Sequence, residues 1–355
     1  MSDKYNILFL GASYGSLFAA KAALAGHSAH LICLPEEVEL INSEGAVVRL
    51  PVRSLDSPVE LNSKTMVGRV SAGAPEDTDP ADYDLVVLAM QEPQYRFPAV
   101  KDLLQKVGAA AKPCMSIMNM PPLAYLKRIP SINTNVLRDC YTDASVWDSF
   151  NPALITLCSP DPQAFRPPDE KCNVLQVGLP TNFKAARFES DEHTALLRQI
   201  EDDIQNIRYE VDGNEVELPV KLRVHESLFV PLAKWAMLMT GNYRCVQEEK
   251  MIPIKQAVHS DTEVSAEIYN LIAELCVSLG GDRNDLVPFE KYGNAALSLQ
   301  KPSSAARALL AGAPYIERVD RLIQTLASAQ GMRSAHIDRT VTFVDSWLGK
   351  NRAPD

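Results

Sequence analysis

The residues best suited to chemistry cluster around Lys234, in the run Pro231-Leu232-Ala233-Lys234-Trp235-Ala236-Met237-Leu238-Met239-Thr240-Gly241-Asn242. A lysine embedded among so many apolar side chains lies on or near the buried face of a helix. Desolvation there lowers its pKa and fits it for proton transfer. The plainer reading is that its stem covers apolar surface while the ammonium reaches water. Asn242 follows eight residues later and lies on broadly the same side of a regular helix, about 80° round from Lys234. Further on, Lys301-Pro302-Ser303-Ser304 precedes a helical run, and Gly312-Ala313-Pro314-Tyr315-Ile316-Glu317 follows it. A serine pair in that position is first of all a helix cap. Such serines can also bind a carboxylate through hydroxyl and backbone N–H together.

A second constellation stands near the start of the chain, at Gly11-Ala12-Ser13-Tyr14-Gly15-Ser16. A glycine turn between a first strand and a helix suits the pyrophosphate of a dinucleotide. Glycine permits close approach, and the helix N-terminus offers free N–H groups and positive dipole. The turn is one residue shorter than GxGxxG and lacks its middle glycine, so it also fits a glycine turn in another α/β fold. Cofactor choice is read after the second strand, at Cys33-Leu34-Pro35-Glu36-Glu37, where no basic residue awaits the extra phosphate of NADP. Glu36 would repel that phosphate if it pointed inward. Equally, both glutamates could simply start the next helix, where acidic residues suit the dipole.

The elements that must position these groups follow from periodicity. Tyr5 to Leu10 is a short apolar run, Leu17 to Leu24 is Ala-rich and helix-prone, and Ala29 to Leu34 is a second apolar run after a candidate C-cap, Gly26. This is a βαβ unit with parallel strands and a right-handed crossover. Strands are expected at Val47 to Val52, Thr65 to Val70, Asp84 to Met90 and Met115 to Met118, the last broken by Asn119-Met120-Pro121-Pro122. Asp143 to Gln176 reads as a sheet extension with long proline-rich loops. Glu192 to Ile207 has helical spacing, and Ile207 to Val211 with Val216 to Leu218 forms a closing hairpin around Asp212-Gly213-Asn214. Beyond about residue 222 the periodicity turns helical: His225 to Met239, Thr262 to Leu279, Phe289 to Leu299, Ala305 to Ala311, Ile316 to Gln330 and Ile337 to Leu348. The expected division is therefore 1–222, a Rossmann domain, and 223–355, a helical catalytic domain.

Composition narrows the partners. The 355 residues are enough for two domains, each with its own core. A net charge of −10 with scattered Lys and Arg argues against nucleic acid and anionic membranes. The seven cysteines form no CxxC pair, which speaks against a zinc ribbon or disulfide framework, and no metal site is expected. Met1-Ser2-Asp3-Lys4 runs straight into the first strand, and no stretch reaches about 18 uninterrupted apolar residues, so a cytoplasmic location is expected. The apolar helical half favours a homodimer.

Together these features resemble the ketopantoate reductase family. The opening βαβ around Gly11 to Ala20, Asn119, Lys234, Asn242, Lys301-Pro302-Ser303-Ser304 and Gly312-Ala313-Pro314 carry the likeness. The resemblance implies an α/β Rossmann domain followed by an all-helical domain of the 6-phosphogluconate dehydrogenase C-terminal type. It also implies NADP(H) as cofactor, with NAD(H) admitted because no basic residue follows the second strand. By the same resemblance Lys234 is the general acid, Asn119 touches cofactor and substrate, Asn242 orients the substrate, and Ser304 holds its carboxylate. The departures are Leu238 for the family's first asparagine, Gln91 for the lysine after the buried strand, and Leu34 for the arginine of strand two. The family's glutamate falls on Ile316, with Glu317 one position late and able to take its role. Gly11, Ala12, Ser13, Tyr14, Gly15 and Ser16, with Gln91 and Asn119, are the expected cofactor contacts. Lys234, Asn242 and Glu317 are the expected catalytic group. The expectation is a reversible dehydrogenase acting on a small carbonyl or hydroxyl compound other than ketopantoate. An opine- or imine-type reductase and a non-catalytic dinucleotide-binding relative are the alternatives.

Overall fold

Apolar runs and the glycines that end them build the first half of the chain. In the computed structural model, which describes residues 4–353, β1 (Asn6–Leu10) is buried from Ile7 onward and leads through Gly11 into α1 (Tyr14–Leu24). Gly26, at φ +92°, turns the chain into β2 (Ser28–Ile32), and α2 (Pro35–Glu44) follows. Next come β3 (Val47–Leu50), β4 (Val59–Asn62) and β5 (Val70–Gly73), then the fully buried β6 (Leu85–Leu88). After α3 (Pro98–Ala110) come β7 (Cys114–Ile117) and a single turn, α4 (Leu123–Leu126). The strands β8 (Ile155–Ser159), β9 (Gln163–Phe165), β10 (Val174–Leu179) and β11 (Phe183–Ala186) precede α5 (Asp191–Gln205). The hairpin β12 (Tyr209–Val211) and β13 (Asn214–Val216) leads to β14 (Leu222–His225). Its two-residue turn uses Asp212 and Gly213, both at positive φ, the geometry that suits the twist of paired strands.

Eight strands form one sheet in the order β14-β11-β8-β7-β6-β1-β2-β5. Every pairing is parallel except β11 with β8. The chain goes from β1 to β2 and β5 on one side, then returns to β6 and β7 on the other. The order therefore reverses between β1 and β6, and in such sheets ligands sit outside the carboxyl ends at that point. The second sheet, β4-β3-β10-β9, was not foreseen from periodicity.

Several expectations need correction. The strand expected over Thr65 to Val70 is a short turn at Ser63–Thr65, and the strand begins at Val70. The Asn62 side chain accepts from Lys64 N at 2.9 Å, and Gly68 packs so closely on the carbonyl of His27 that a Cβ would overlap it. The helix expected from His225 starts later, because Leu222–His225 pairs in register with β11 as the sheet's last strand. By contact the chain forms two compact units. The first comprises residues 4–90, Gln94–Tyr125 and Ser145–Glu226; the second comprises Gln91–Pro93, Leu126–Ala144 and residues 227–353. One cut near 222 does not describe this division, since two earlier segments belong to the second unit. Met1, Ser2 and Asp3 lie outside the described residues.

Among the described residues the second unit holds helices and one isolated bridge, Val246 with Met251. A short turn (Pro231–Ala233) leads into α6 (Lys234–Met237), which continues as a π-helical turn over Leu238–Tyr243. Then follow α7 (Ile254–His259), α8 (Thr262–Ser278), α9 (Phe289–Ala296), α10 (Ser304–Leu310), α11 (Val319–Ala329) and α12 (Ala335–Arg352). Arg318 is a buried tie before α11, donating through Nε and Nη2 to both oxygens of the fully buried Asp320 at 2.9 Å.

Candidate functional site

The glycine turn sits at the carboxyl end of β1, on the reversal point of the sheet. Gly11 adopts φ +110°, and a Cβ there would lie 2.6 Å from Met90 Cγ and 2.8 Å from the carbonyl oxygen of Ala89, at the end of β6. Only glycine meets both conditions without strain. Its N–H donates to the Ile32 carbonyl at 2.9 Å, which holds the turn against the end of β2. Gly15 differs, because a Cβ there would make only ordinary contacts at 3.5 Å with Ala89 and Leu31. Ala12 and Ser16 are buried, and the Ser16 hydroxyl donates back to the Ala12 carbonyl at 2.5 Å. Ser13 and Tyr14 are half-buried, and the Ser13 side chain makes no cap bond to the first turn of α1. A glycine cradle beside an uncapped helix start fits the pyrophosphate of a dinucleotide.

After β2, Glu36 and Glu37 occupy the first turn of α2, as a helix start requires. Glu36 is exposed. Glu37 is buried, accepts from Leu34 N at 3.0 Å, and forms an ion pair with Arg166. Arg166 directly follows β9, so a guanidinium stands beside the end of β2 although the second strand brings none of its own. Nothing near Leu34 in the sequence signals this. Asn119 lies just past the end of β7 and is half-buried, and its Oδ1 is buried without a hydrogen-bond partner among the described residues. A buried amide oxygen left unpaired carries a real cost and is suited to a donor from a ligand.

In the second unit, Lys234 opens α6 and is half-buried, while its neighbours Ala233 and Trp235 are buried. A regular helix would leave Asn242 about 80° away from it, but the winding changes at Leu238. A π turn takes in one extra residue, so it turns Asn242 back by about 100° and leaves it within roughly 20° of the Lys234 direction. Asn242 is also half-buried, whereas Leu238 to Gly241 are buried. The lysine and the asparagine thus share one face. Ser303, not Ser304, caps α10: its hydroxyl accepts from Ala306 N at 3.1 Å and donates to the Asn242 carbonyl at 2.7 Å. Ser304 is exposed as the first residue of that helix.

Glu317 is buried just before α11, and its carbonyl accepts the Tyr243 hydroxyl at 2.5 Å. Its carboxylate accepts from the backbone N of Glu92 at 3.4 Å. Glu92 was not singled out from sequence, where it is one acidic residue after an apolar strand and the exposed Gln91. It is 2% exposed, and its two oxygens accept from Thr142 N and Thr142 Oγ1, both at 2.9 Å. Burial pushes its carboxyl up to about 7; the Thr142 donors oppose this and the neighbouring Glu317 adds to it. The folded chain therefore holds a proton there that the unfolded chain releases near pH 4.5. Stability from this group is full below about 4.5, declines as pH rises, and is gone above about 7. Urea denaturation at pH 5 and pH 8 should show wild type losing up to roughly 3 kcal/mol that Glu92→Gln does not lose. Parallel losses in both proteins would contradict this origin.

Neither a protein-family model nor a curated protein matches the sequence. Solved structures do match. A 2-dehydropantoate 2-reductase from Methylococcus capsulatus superposes with a TM-score of 0.68 at 11% identity, over 98% of each chain. The chain has the fold of the ketopantoate reductases. A ternary structure of D-mandelate dehydrogenase with NADH and anilino(oxo)acetate matches with a TM-score of 0.65 at 12% identity, over 98% of this chain and 100% of that one. A dimeric ketopantoate reductase from Staphylococcus aureus matches with a TM-score of 0.57 at 9% identity, over 98% and 99%. This ketopantoate-reductase-like fold, an α/β unit with a helical unit, is the one that the residues around Gly11, Lys234 and Gly312 suggested.

Proposed function

We propose that the chain is an NAD(P)-dependent oxidoreductase of the 2-hydroxy-acid/2-keto-acid type, with Lys234 as its general acid and base. The observation that supports this reading is the π turn, whose winding turns Asn242 closer to the Lys234 direction than the about 80° of a regular helix. The substrate class is favoured by the similar proteins, since the names 2-dehydropantoate 2-reductase and D-mandelate dehydrogenase both describe an oxygen-bearing carbon next to a carboxylate. The dimeric relative favours a homodimer.

The backbone from Gly11 to Ser16 would hold the pyrophosphate, and Asn119 and Gln91 are the other cofactor contacts the family likeness suggests. The nicotinamide, when bound, takes up or supplies the hydride. In the reducing direction the carbonyl oxygen gains negative charge, and the Lys234 ammonium gives it a proton, so the product is the neutral hydroxyl. In the oxidising direction Lys234, as the free amine, takes the hydroxyl proton. Asn242 would orient the substrate's polar groups, and Asn119 would touch the cofactor through its amide. Ser304 binds the carboxylate, and Glu317 takes the positioning role of the family's glutamate. NADP(H) follows from the family likeness. NAD(H) remains an equal arm of the test, because the cation beside the end of β2 is already paired with Glu37.

The test is a panel of 2-hydroxy acids, plain alcohols and N-carboxyalkyl amino acids, each offered with NAD+ and NADP+. Reduced cofactor should form with 2-hydroxy acids and not with the secondary amines. Turnover of the amines alone would replace this reading by an imine-reductase one. Dinucleotide binding without any turnover would favour a non-catalytic role.

A further inference from the structure

Three hydroxyl hydrogen bonds tie the π turn to other helices or loops, and one of them stands where the winding changes. Tyr292, on α9, donates its hydroxyl to the carbonyl of Met237 at 3.1 Å. Met237 is the last residue of α6 and the residue on which the π turn begins. The Tyr292 ring is buried and stacked on Tyr269, with centroids 5.5 Å apart and planes 22° apart. Tyr269 is fixed in turn by donating to the Val287 carbonyl at 2.9 Å. Tyr292 reaches the Met237 carbonyl only across Gly241, where a Cβ would overlap its hydroxyl and would lie 3.0 Å from Ile254 Cγ2. Gly241 is therefore the residue of the π turn that lets the tyrosine in. The other two hydroxyls, Ser303 on the Asn242 carbonyl and Tyr243 on the Glu317 carbonyl, hold the far end of the same turn.

An extra residue in a helical turn worsens the local winding and persists only where surrounding contacts hold it. We propose that Tyr292 is a positioning residue: its hydroxyl, admitted by Gly241, pins the junction at Met237 that rotates Asn242 onto the face of Lys234. This rests on the oxidoreductase reading for its functional consequence, while the pinning itself is a property of the second unit alone. Without the hydroxyl, the turn is free to rewind toward α geometry, which moves Asn242 by about a quarter turn away from Lys234.

The test uses Tyr292→Phe, which keeps the ring and its stacking and removes one oxygen, alongside Gly241→Ala, which displaces the hydroxyl by bulk. Native-state hydrogen exchange of the Asn242 and Tyr243 amides should quicken about tenfold in Tyr292→Phe, the effect of one lost hydrogen bond. Unchanged exchange in both variants would overturn the pinning, whatever the protein catalyses. On the best substrate, kcat should fall about tenfold with the KM for the dinucleotide unchanged, and the same substitution made on top of Asn242→Ala should have almost no further effect. An equal fall in both backgrounds would overturn action through Asn242. If exchange quickens but no substrate is turned over, the oxidoreductase reading fails and the pinning stands.

Discussion

Replacing Lys234 by alanine is expected to slow hydride transfer by about a hundred- to ten-thousand-fold while leaving dinucleotide affinity nearly unchanged, the range that general acid–base catalysis contributes. The expectation rests on the lysine's place at the start of α6, half-buried between buried neighbours and sharing a face with Asn242. Lys234→Arg sharpens it. Arginine keeps the positive charge but does not release its proton at any working pH. If the lysine acts by proton transfer, the arginine variant should be nearly as slow as the alanine one. If it acts only as a fixed charge, arginine should restore most of the rate. Presteady-state absorbance of the reduced cofactor separates these outcomes from effects on product release.

Gly11→Val is expected to abolish dinucleotide binding and to lower stability by about 1–3 kcal/mol from backbone strain and by about as much again from overpacking. At φ +110° a β-branched residue is strained before any contact is counted. Its Cβ would also press on the Ala89 carbonyl, which is backbone at the end of a buried strand and cannot swing away. The damage falls where β1 and β6 part, so binding and folding suffer together. Gly15→Ala is the matched control. Its Cβ would meet Ala89 and Leu31 at 3.5 Å, so the fold should be intact, and any loss of affinity would report close approach of a ligand to that backbone. Isothermal titration with NADH and NADPH, next to urea denaturation, distinguishes the two substitutions.

The legible parts of the fold were those written in strong local patterns. The continuous apolar run from Asp84 to Met90 is typical of a strand buried on both faces and contains β6, and Asp212-Gly213-Asn214 offered the turn that the β12–β13 hairpin uses. The second sheet was illegible because β10, which pairs locally with β9, joins β3 from more than a hundred residues earlier, and neither β9 nor β10 alternates cleanly. The strand placed at Thr65 failed because side-chain capping by Asn62 and the tight packing of Gly68 outweigh β propensity.

The candidate site divides in the same way. Gly11 and Lys234 were singled out from residue type and from their place after a strand or within an apolar helix, and Asn119 through the family resemblance. Glu92, Arg166 and Tyr292 were not, because each matters through a partner far away in the chain: Glu317, Glu37 and Met237. The relation of Asn242 to Lys234 was read from spacing with the wrong helical pitch. Nothing in Leu238–Tyr243 announces a π turn; what holds it there is a tyrosine about fifty residues later.

The most direct measurement is single-turnover formation of reduced nicotinamide from a panel of 2-hydroxy acids, made with wild type and Lys234→Ala at matched dinucleotide saturation. The proposed chemistry predicts turnover of at least one acid by wild type, a fall of at least about a hundredfold in the variant, and equal dinucleotide binding by both. Equal rates in the two proteins, or failure of wild type to bind either dinucleotide, would contradict it.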